Sequence, residues 1–166
     1  LGRARLSFAK TSDIDEFTDM LAKFESGDIT PDQWRAFRLL RGTYGQRQDD
    51  VHMMRIKIPQ GLLTAEQMFA LADVSEQYSR GFGNITTRQN VQFHFVKVHY
   101  ADRVMHRLAD VGMTTREACG NSVRNITSCA FAGISASEPF DVTPYSEIMT
   151  RYFLRHPLSS SLPRKF

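Results

Sequence analysis

The stretch that decides the fold is VHMMRIKIPQG, residues 51–61. Apolar and basic side chains alternate along it until Pro59 and Gly61 end the pattern. One face carries Met54, Ile56 and Ile58, and the other face carries Arg55 and Lys57. This period of two over residues 51–58 predicts a β-strand with one face in a core and a basic opposite face.

The segments that follow this strand continue the pattern. Apolar residues at helical spacing begin after Thr64 and stop at Gly81. A second alternating stretch then predicts a strand whose core face carries Val91, Phe93 and Phe95 and whose other face carries Gln92 and His94. A further helix is predicted over residues 102–111. The order β-α-β-α predicts an α+β fold with helices on one face of a small sheet, a ferredoxin-like plan.

Helices are also predicted on both sides of this unit. Upstream, one is expected over 12–26 behind the cap Thr11-Ser12-Asp13 and another over 31–41 after Thr30-Pro31, and the polar residues 44–50 predict a loop. Downstream, a Gly, Ser, Asn and Thr-rich region precedes a helix over 144–155. The predicted domains are a helical arm (1–50), a ferredoxin-like half-domain (51–115) and the truncated start of a second, α/β domain (116–166).

The composition excludes several classes of protein. The 21 Lys and Arg residues nearly balance the 18 Asp and Glu residues, which argues against a protein that mainly neutralises nucleic-acid phosphates. The two cysteines, Cys119 and Cys129, lack metal-binding spacing and are interpreted as reduced thiols. No stretch resembles a signal peptide or a membrane span, which predicts a cytoplasmic protein. We expect both ends of the chain, at Leu1 and Phe166, to be cut ends.

Four basic residues stand out as candidates for an anion site: Arg55, Arg88, Arg124 and Lys165. Small polar side chains that offer further hydrogen-bond donors flank three of them, among them Thr86, Gln92 and Asn125. Such convergent donors would suit a polyanionic ligand. The alternative is that the charges on the strands are simply solvated, and the pattern alone leaves both interpretations open.

Several strings in the chain resemble, in order, the signatures of the ferredoxin-type nitrite/sulfite reductase family. They are MMRIKIPQG at 53–61, NITTRQNVQFHF at 84–95, GNSVRNITSCAFAG at 120–133 and LPRKF at 162–166. Residues 23–48 also resemble the N-terminal arm of bacterial members. The resemblance implies the N-terminal part of an enzyme that reduces sulfite to sulfide or nitrite to ammonia by six electrons.

The resemblance also implies cofactors and roles for individual residues. Members carry sirohaem, whose iron shares a cysteine thiolate with a 4Fe-4S cluster, and the domain over 116–166 would begin the part that holds both. Arg and Lys are expected around the carboxylate-rich sirohaem because they bind carboxylates strongly. The implied substrate-binding, catalytic residues are Arg55, Arg124 and Lys165. The implied cofactor-binding residues are Thr86, Arg88, Gln92, His94, Asn125 and Arg164.

The expected partners follow from the same resemblance. They are sulfite or nitrite, an electron donor such as ferredoxin or a flavoprotein, and a missing C-terminal half, with no nucleic acid and no membrane. The cluster cysteines are expected downstream, so no metal ligand is assigned to this chain and the fragment alone is expected to be inactive. The QFH string and Phe166 after LPRK favour sulfite. Two alternatives are a related cobalamin-pathway oxidoreductase and a non-catalytic ferredoxin-like domain that binds an anion or a partner.

Overall fold

The predicted strand forms at Val51–Ile56 and pairs antiparallel with a second predicted strand at Val91–Lys97. The computed structural model, which describes residues 7–163, adds a short strand at each edge of this pair. The strands are β1 (Thr43–Gly45), β2 (Val51–Ile56), β3 (Asn84–Ile85) and β4 (Val91–Lys97). They lie in the order β1-β2-β4-β3, and every neighbouring pair is antiparallel.

The helices lie close to their predicted positions. They are α1 (Thr11–Glu25), α2 (Pro31–Leu39), α3 (Ala65–Tyr78), α4 (Ala101–Ala109) and α5 (Thr143–Phe153), with single 3-10 turns at Pro59–Gly61, Val98–Tyr100 and Pro157–Ser159. The sequence β2-α3-β4-α4 is the predicted β-α-β-α unit, which confirms the α+β, ferredoxin-like fold. No helix among residues 7–163 is long and apolar enough to cross a membrane.

The apolar face of the sheet packs against the helices. Met54 and Ile56 of β2 are fully buried, and the same apolar cluster includes Phe17 of α1 and Trp34 of α2, whose ring centroids lie 5.3 Å apart. The N-terminal helices therefore pack into the same core as the sheet. The division into domains at residues 50 and 115 stays a prediction.

Capping residues set the starts of α2 and α3. The hydroxyl of Thr30 accepts from the Gln33 amide at 3.2 Å, and the Gln33 side chain accepts from the Thr30 amide at 2.8 Å. Thr64 and Gln67 form the same reciprocal pair at the start of α3. The predicted cap of α1 is wrong, because the helix already includes Thr11 and its N-cap is Lys10, without a side-chain bond.

A β-bulge in β4 overturns one predicted core residue. Phe95 has φ 62° and does not face the core, whereas Val96 is fully buried in the place that Phe95 was predicted to take. The register shifts between His52 and Met54 on the partner strand, which is the mark of a bulge. Gln92 precedes the irregularity and keeps its predicted side of the sheet. The Phe95 ring instead lies under the Arg80 guanidinium, 3.7 Å from its centroid.

The predicted loop over residues 44–50 is wrong at its first residues, because β1 pairs there with β2. The turn before β1 requires glycine: Gly42 has φ 74°, and a Cβ added there would lie 2.5 Å from the Thr115 carbonyl oxygen and 2.7 Å from that of Arg55. The chain thus returns to the sheet beyond α4, where Thr114 also bridges to Lys57. Irregular backbone then leads to α5, as predicted.

Candidate anion-binding site

Arg55 stands in a row of polar side chains across the sheet. On β2 it lies directly opposite Gln92 of β4, which in turn lies opposite Asn84 of β3. With its carboxamide oxygen turned towards Arg55, Gln92 accepts hydrogen bonds from Arg55 Nη2 and, at 2.8 Å, from Arg55 Nε. The guanidinium is therefore held on the sheet surface by a neutral neighbour that leaves its positive charge uncompensated.

Arg88 projects from the tight turn between β3 and β4. The Thr86 hydroxyl accepts from the Arg88 amide at 3.1 Å and donates to the buried Asn90 carboxamide at 2.5 Å. Gln89 adopts a left-handed backbone, φ 56°, which closes the turn. The Arg88 side chain is exposed, so this hydrogen-bonded turn presents its cation to solvent.

Arg124 lies in an irregular segment that side chains from elsewhere hold in place. The Lys57 ammonium donates to the carbonyl oxygens of Val123 at 3.1 Å and Arg124 at 3.0 Å. The Gln89 carboxamide pairs with both backbone groups of Ser128, at 2.7 and 3.0 Å. Arg124 Nε itself donates to the Gly120 carbonyl at 3.2 Å. The segment from Val123 to Ser128 is thus tied to β2 and to the Arg88 turn.

The three arginines form one cluster of like charge. Burial lowers the pKa of Arg124, and the charges of Arg88 and then Arg55 lower it further. All three guanidinium groups also act on the Cys119 thiol, whose pKa burial raises while the arginines oppose that shift. We call Arg55, Arg88 and Arg124 the arginine cluster.

Within residues 7–163, none of these three arginines forms an ion pair with a carboxylate. Other arginines of the chain do: Arg107 bonds to Asp73 at 2.6 Å and Arg155 to Asp13 at 2.5 Å. Converging cations without a protein counter-charge favour the binding of an anion from solution. The arrangement can therefore bind an oxyanion or a carboxylate.

The remaining predicted site residues take different positions. Thr86 and Gln92 lie beside arginines of the cluster, in the contacts described above. Asn125 binds backbone groups, with Nδ2 2.7 Å from the Arg88 carbonyl oxygen. His94 lies on β4, where its ring contacts Phe95, 6.3 Å away between centroids, and its carbonyl accepts from Ser79. Lys165 and Arg164 lie outside the described residues.

Sequence reasoning missed the residues that hold the site in place. Lys57 was placed on the basic strand face, but only 3% of it is exposed, and burial lowers its pKa to about 8. Gln60 has φ 62°, and its amide donates to the Ile126 carbonyl at 2.8 Å. Gln89 binds Ser128 across the site. Alternation along the predicted strand indicated on which face Lys57 lies. No local pattern indicates that the carbonyl oxygens of Val123 and Arg124 accept its hydrogen bonds.

The cysteines do not form a metal site within the described part of the chain. Cys119 is buried and Cys129 is exposed, and both are free thiols. Among residues 7–163, no three His, Cys, Asp or Glu side chains lie close enough together to hold a metal ion.

The chain is similar to several known reductases. It is 36% identical over 114 residues to a protein of Mycobacterium tuberculosis named sulfite reductase [ferredoxin], a match that covers 69% of this chain and 20% of that protein. It is also 36% identical over 119 residues to ferredoxin–nitrite reductase of Leptolyngbya laminosa, covering 69% and 23%. The chain therefore spans about a fifth to a quarter of the length of these relatives.

A solved structure supports the same relationship. The structure of the Mycobacterium tuberculosis NirA protein superposes with a TM-score of 0.77 at 31% sequence identity, over 82% of this chain and 28% of that one. Residues 44–111 match the nitrite/sulfite reductase ferredoxin-like half domain. This segment contains β2, β4 and two members of the arginine cluster, Arg55 and Arg88. Through this half domain, the chain belongs to the nitrite/sulfite reductase family, as its sequence strings predicted.

Proposed function

We propose that this chain is the N-terminal part of a sirohaem-dependent reductase that converts sulfite to sulfide, or nitrite to ammonia, by six electrons. The observation that carries the proposal is the arginine cluster, three converging cations without a carboxylate partner in residues 7–163. Relatives named as sulfite and as nitrite reductases match the chain equally well, at 36% identity each. We favour sulfite because of the QFH string at 92–94 and the phenylalanine that follows LPRK.

The residues of the site suit a cofactor rich in carboxylates. Arg88 is exposed on a hydrogen-bonded turn, and an arginine fork can bind a carboxylate through two hydrogen bonds. The side chains proposed to surround the carboxylates of sirohaem are Thr86, Arg88, Gln92, His94, Asn125 and Arg164. Asn125 would act here mainly through the backbone of Arg88, which it holds. Bound sirohaem and a 4Fe-4S cluster with ligands outside this chain would supply the electrons.

Arg55, Arg124 and Lys165 are proposed to bind the substrate anion. Their positive charges would stabilise negative charge as it develops on the oxyanion, and the fixed positions of Arg55 and Arg124 would avoid reorganisation during the reaction. Of the three, the Lys165 ammonium would also be able to supply a proton as oxygen leaves as water, since arginine stays protonated. Lys165 lies outside the described residues, so its role rests on the LPRKF string.

The partners proposed for the whole protein follow from its relatives. The names of two of them include ferredoxin, which makes a ferredoxin, or a flavoprotein that serves the same purpose, the proposed electron donor. The rest of a longer polypeptide is proposed to complete the pocket. A cytoplasmic location is proposed as well.

The proposal is tested on the longer protein encoded by the reading frame that contains this chain. It is expressed with sirohaem synthesis supplied, its visible spectrum is recorded, and reduction of sulfite and of nitrite is assayed with a chemical electron donor. We expect a sirohaem spectrum and turnover of one anion in preference to the other. A colourless protein without a cluster would contradict the reductase and would favour a ferredoxin-like binding domain.

The roles of the arginines are separated by three substitutions in the same protein. Arg55→Ala and Arg124→Ala are expected to impair turnover while sirohaem occupancy stays close to that of the unmodified protein. Arg88→Ala is expected to lower occupancy itself. Arg47→Ala, at an exposed position outside the cluster, is the control. The opposite pattern would mean that the substrate and cofactor roles are exchanged.

A further inference from the structure

Lys57 occupies a position that is costly for a lysine. Only 3% of its surface is exposed, and an ammonium group without water must have its hydrogens bonded to stay charged. The Lys57 Nζ atom donates to the carbonyl oxygens of Val123 and Arg124, at 3.1 and 3.0 Å. Because burial lowers its pKa only to about 8, the group is mostly protonated at pH 7 and both bonds are charge-assisted.

The carbonyl groups that accept these bonds belong to the arginine cluster or to the residue next to it. One acceptor is the carbonyl of Arg124 itself, and the other belongs to the residue before it. The Arg124 side chain has a second anchor, the bond from Nε to the Gly120 carbonyl at 3.2 Å. Backbone and side chain of Arg124 are thus each fixed by one contact, and Lys57 supplies the backbone contact.

Lys57 lies just beyond the end of β2, two residues after Arg55, and its backbone pairs with Thr114. Arg55 is held on β2 by Gln92. The same stretch of chain therefore carries one arginine of the cluster and, through Lys57, holds the backbone of another. The buried Glu117 carboxylate opposes the lowering of the Lys57 pKa, whereas Arg155 adds to it.

We infer that Lys57 is a positioning residue for Arg124, setting where that guanidinium stands relative to Arg55 in the anion site. An apolar residue in its place would leave the carbonyl oxygens of Val123 and Arg124 without this donor, while the next residue, Asn125, would still bind Ile58. The inference concerns the geometry of the cluster. Its consequence for sulfite or nitrite turnover rests on the proposed function.

The geometry is tested on the 166-residue chain by NMR, without reference to activity. The rate at which the Arg124 Nε–H proton exchanges with water reports its bond to Gly120, and Arg124→Lys assigns the signal. In Lys57→Met, which keeps the length and apolar stem of the side chain, we expect exchange to accelerate by about tenfold or more. The Nε–H of Arg107, bonded to Asp73 at 2.8 Å, is an internal reference that should not change.

One control variant and one replacement variant complete this test. Lys97→Met removes an exposed lysine from β4 and is expected to leave the Arg124 signal as it was. If Lys57→Met does not fold, Lys57→Gln, whose amide can still donate to one carbonyl, is measured in its place, and a smaller but clear acceleration is expected. An unchanged Arg124 exchange rate in the folded variant overturns the inference.

The kinetic consequence is tested by a double-mutant cycle in the longer protein, with sulfite and nitrite as substrates. Lys57→Met is expected to raise KM by about tenfold in the presence of Arg124 but by less than about twofold when Arg124 is already alanine, because a positioning residue acts through its partner. Equal effects in both backgrounds would refute positioning. An unmodified protein without sirohaem or turnover would instead refute the proposed function, and the NMR result would still decide the geometry.

Discussion

Asn125 binds both backbone groups of Ile58, accepting from its amide at 3.0 Å and donating to its carbonyl at 2.7 Å. The side chain thus makes the two backbone hydrogen bonds that a neighbouring strand would make, just beyond the end of β2, where the regular sheet stops. The same amide also donates to the Arg88 carbonyl at 2.7 Å. One carboxamide therefore joins the sheet, the Arg88 turn and the segment of Arg124.

Replacing this carboxamide by a carboxylate should be costly. Asn125→Asp keeps the shape but presents oxygen to the carbonyls of Ile58 and Arg88, so the free energy of unfolding should fall by about 1–3 kcal/mol. Urea unfolding followed by circular dichroism at pH 7 measures the loss. The exposed Asn121 provides the control, since Asn121→Asp should change stability little. Equal losses in the two variants would contradict the role given to Asn125.

The arginine cluster predicts an effect of salt on stability. Arg88→Gln removes one of the charges that repel Arg124, so the free energy of unfolding should rise by about 0.2–0.5 kcal/mol in dilute buffer. The gain should disappear near 1 M NaCl, where screening reaches only about 3 Å. Arg47→Gln, at an exposed position outside the cluster, should show no such gain. A gain that survived high salt would have to come from a cause other than repulsion.

His52 predicts a loss of stability in mild acid. Burial, and secondly the charge of Arg38, lower its pKa from 6.5 to about 4 in the folded chain. Between these values the unfolded chain binds more protons than the folded one, so stability is fully present above pH 6.5 and falls as the pH drops towards 4. His52→Gln should remove about 1–2 kcal/mol of the loss between pH 7 and 4.5, allowing for its partial exposure.

The control for this measurement is His106→Gln, which removes an exposed histidine from α4. Urea unfolding at several pH values is recorded for the unmodified chain and both variants. The His106 variant should follow the unmodified chain, whereas the His52 variant should show the flatter profile. Parallel profiles for all three proteins would mean that His52 does not carry the acid sensitivity.

Glu117 is a fully buried carboxylate that binds two residues which follow α5. It accepts from the Arg155 amide with both oxygens, at 3.1 Å each, and from the Ser160 hydroxyl at 2.9 Å. Glu117→Gln turns one of the two accepting oxygens into a donor against these groups and should lower the free energy of unfolding by about 2–4 kcal/mol. Thermal unfolding measures the change, with the exposed Glu76→Gln on α3 as control. A loss no larger than that of the control would contradict this role.

Local patterns were sufficient for most of the fold. The helices and the two long strands each contain several turns or alternations, so their periodicity predicts them, and the capping residues Thr30 and Thr64 mark two of the starts. The edge strands β1 and β3 have only three and two residues. Strands this short have no measurable period, and they exist because a neighbouring strand offers hydrogen bonds.

Local patterns predicted the contacts of the site less well. Alternation placed Arg55 on the polar face of a strand, but it could not bring Arg124 to it, and that expectation came from the resemblance of whole strings. The burial of Lys57 was missed because its acceptors lie 66 and 67 residues further along the chain. The bulge that turns Phe95 out of the core likewise depends on pairing with β2.

The lack of a side chain at Gly42 allows the sheet and the backbone at Thr115 to lie close together. The carbonyl of Thr115 occupies the space that a side chain at residue 42 would need, and the chain runs on from there to Cys119 and Arg124. A single methyl group at residue 42 would push apart the sheet and the backbone segment that leads to Arg124, the third arginine of the cluster. The spacing of the arginine cluster is thus set in part by a residue that carries no charge.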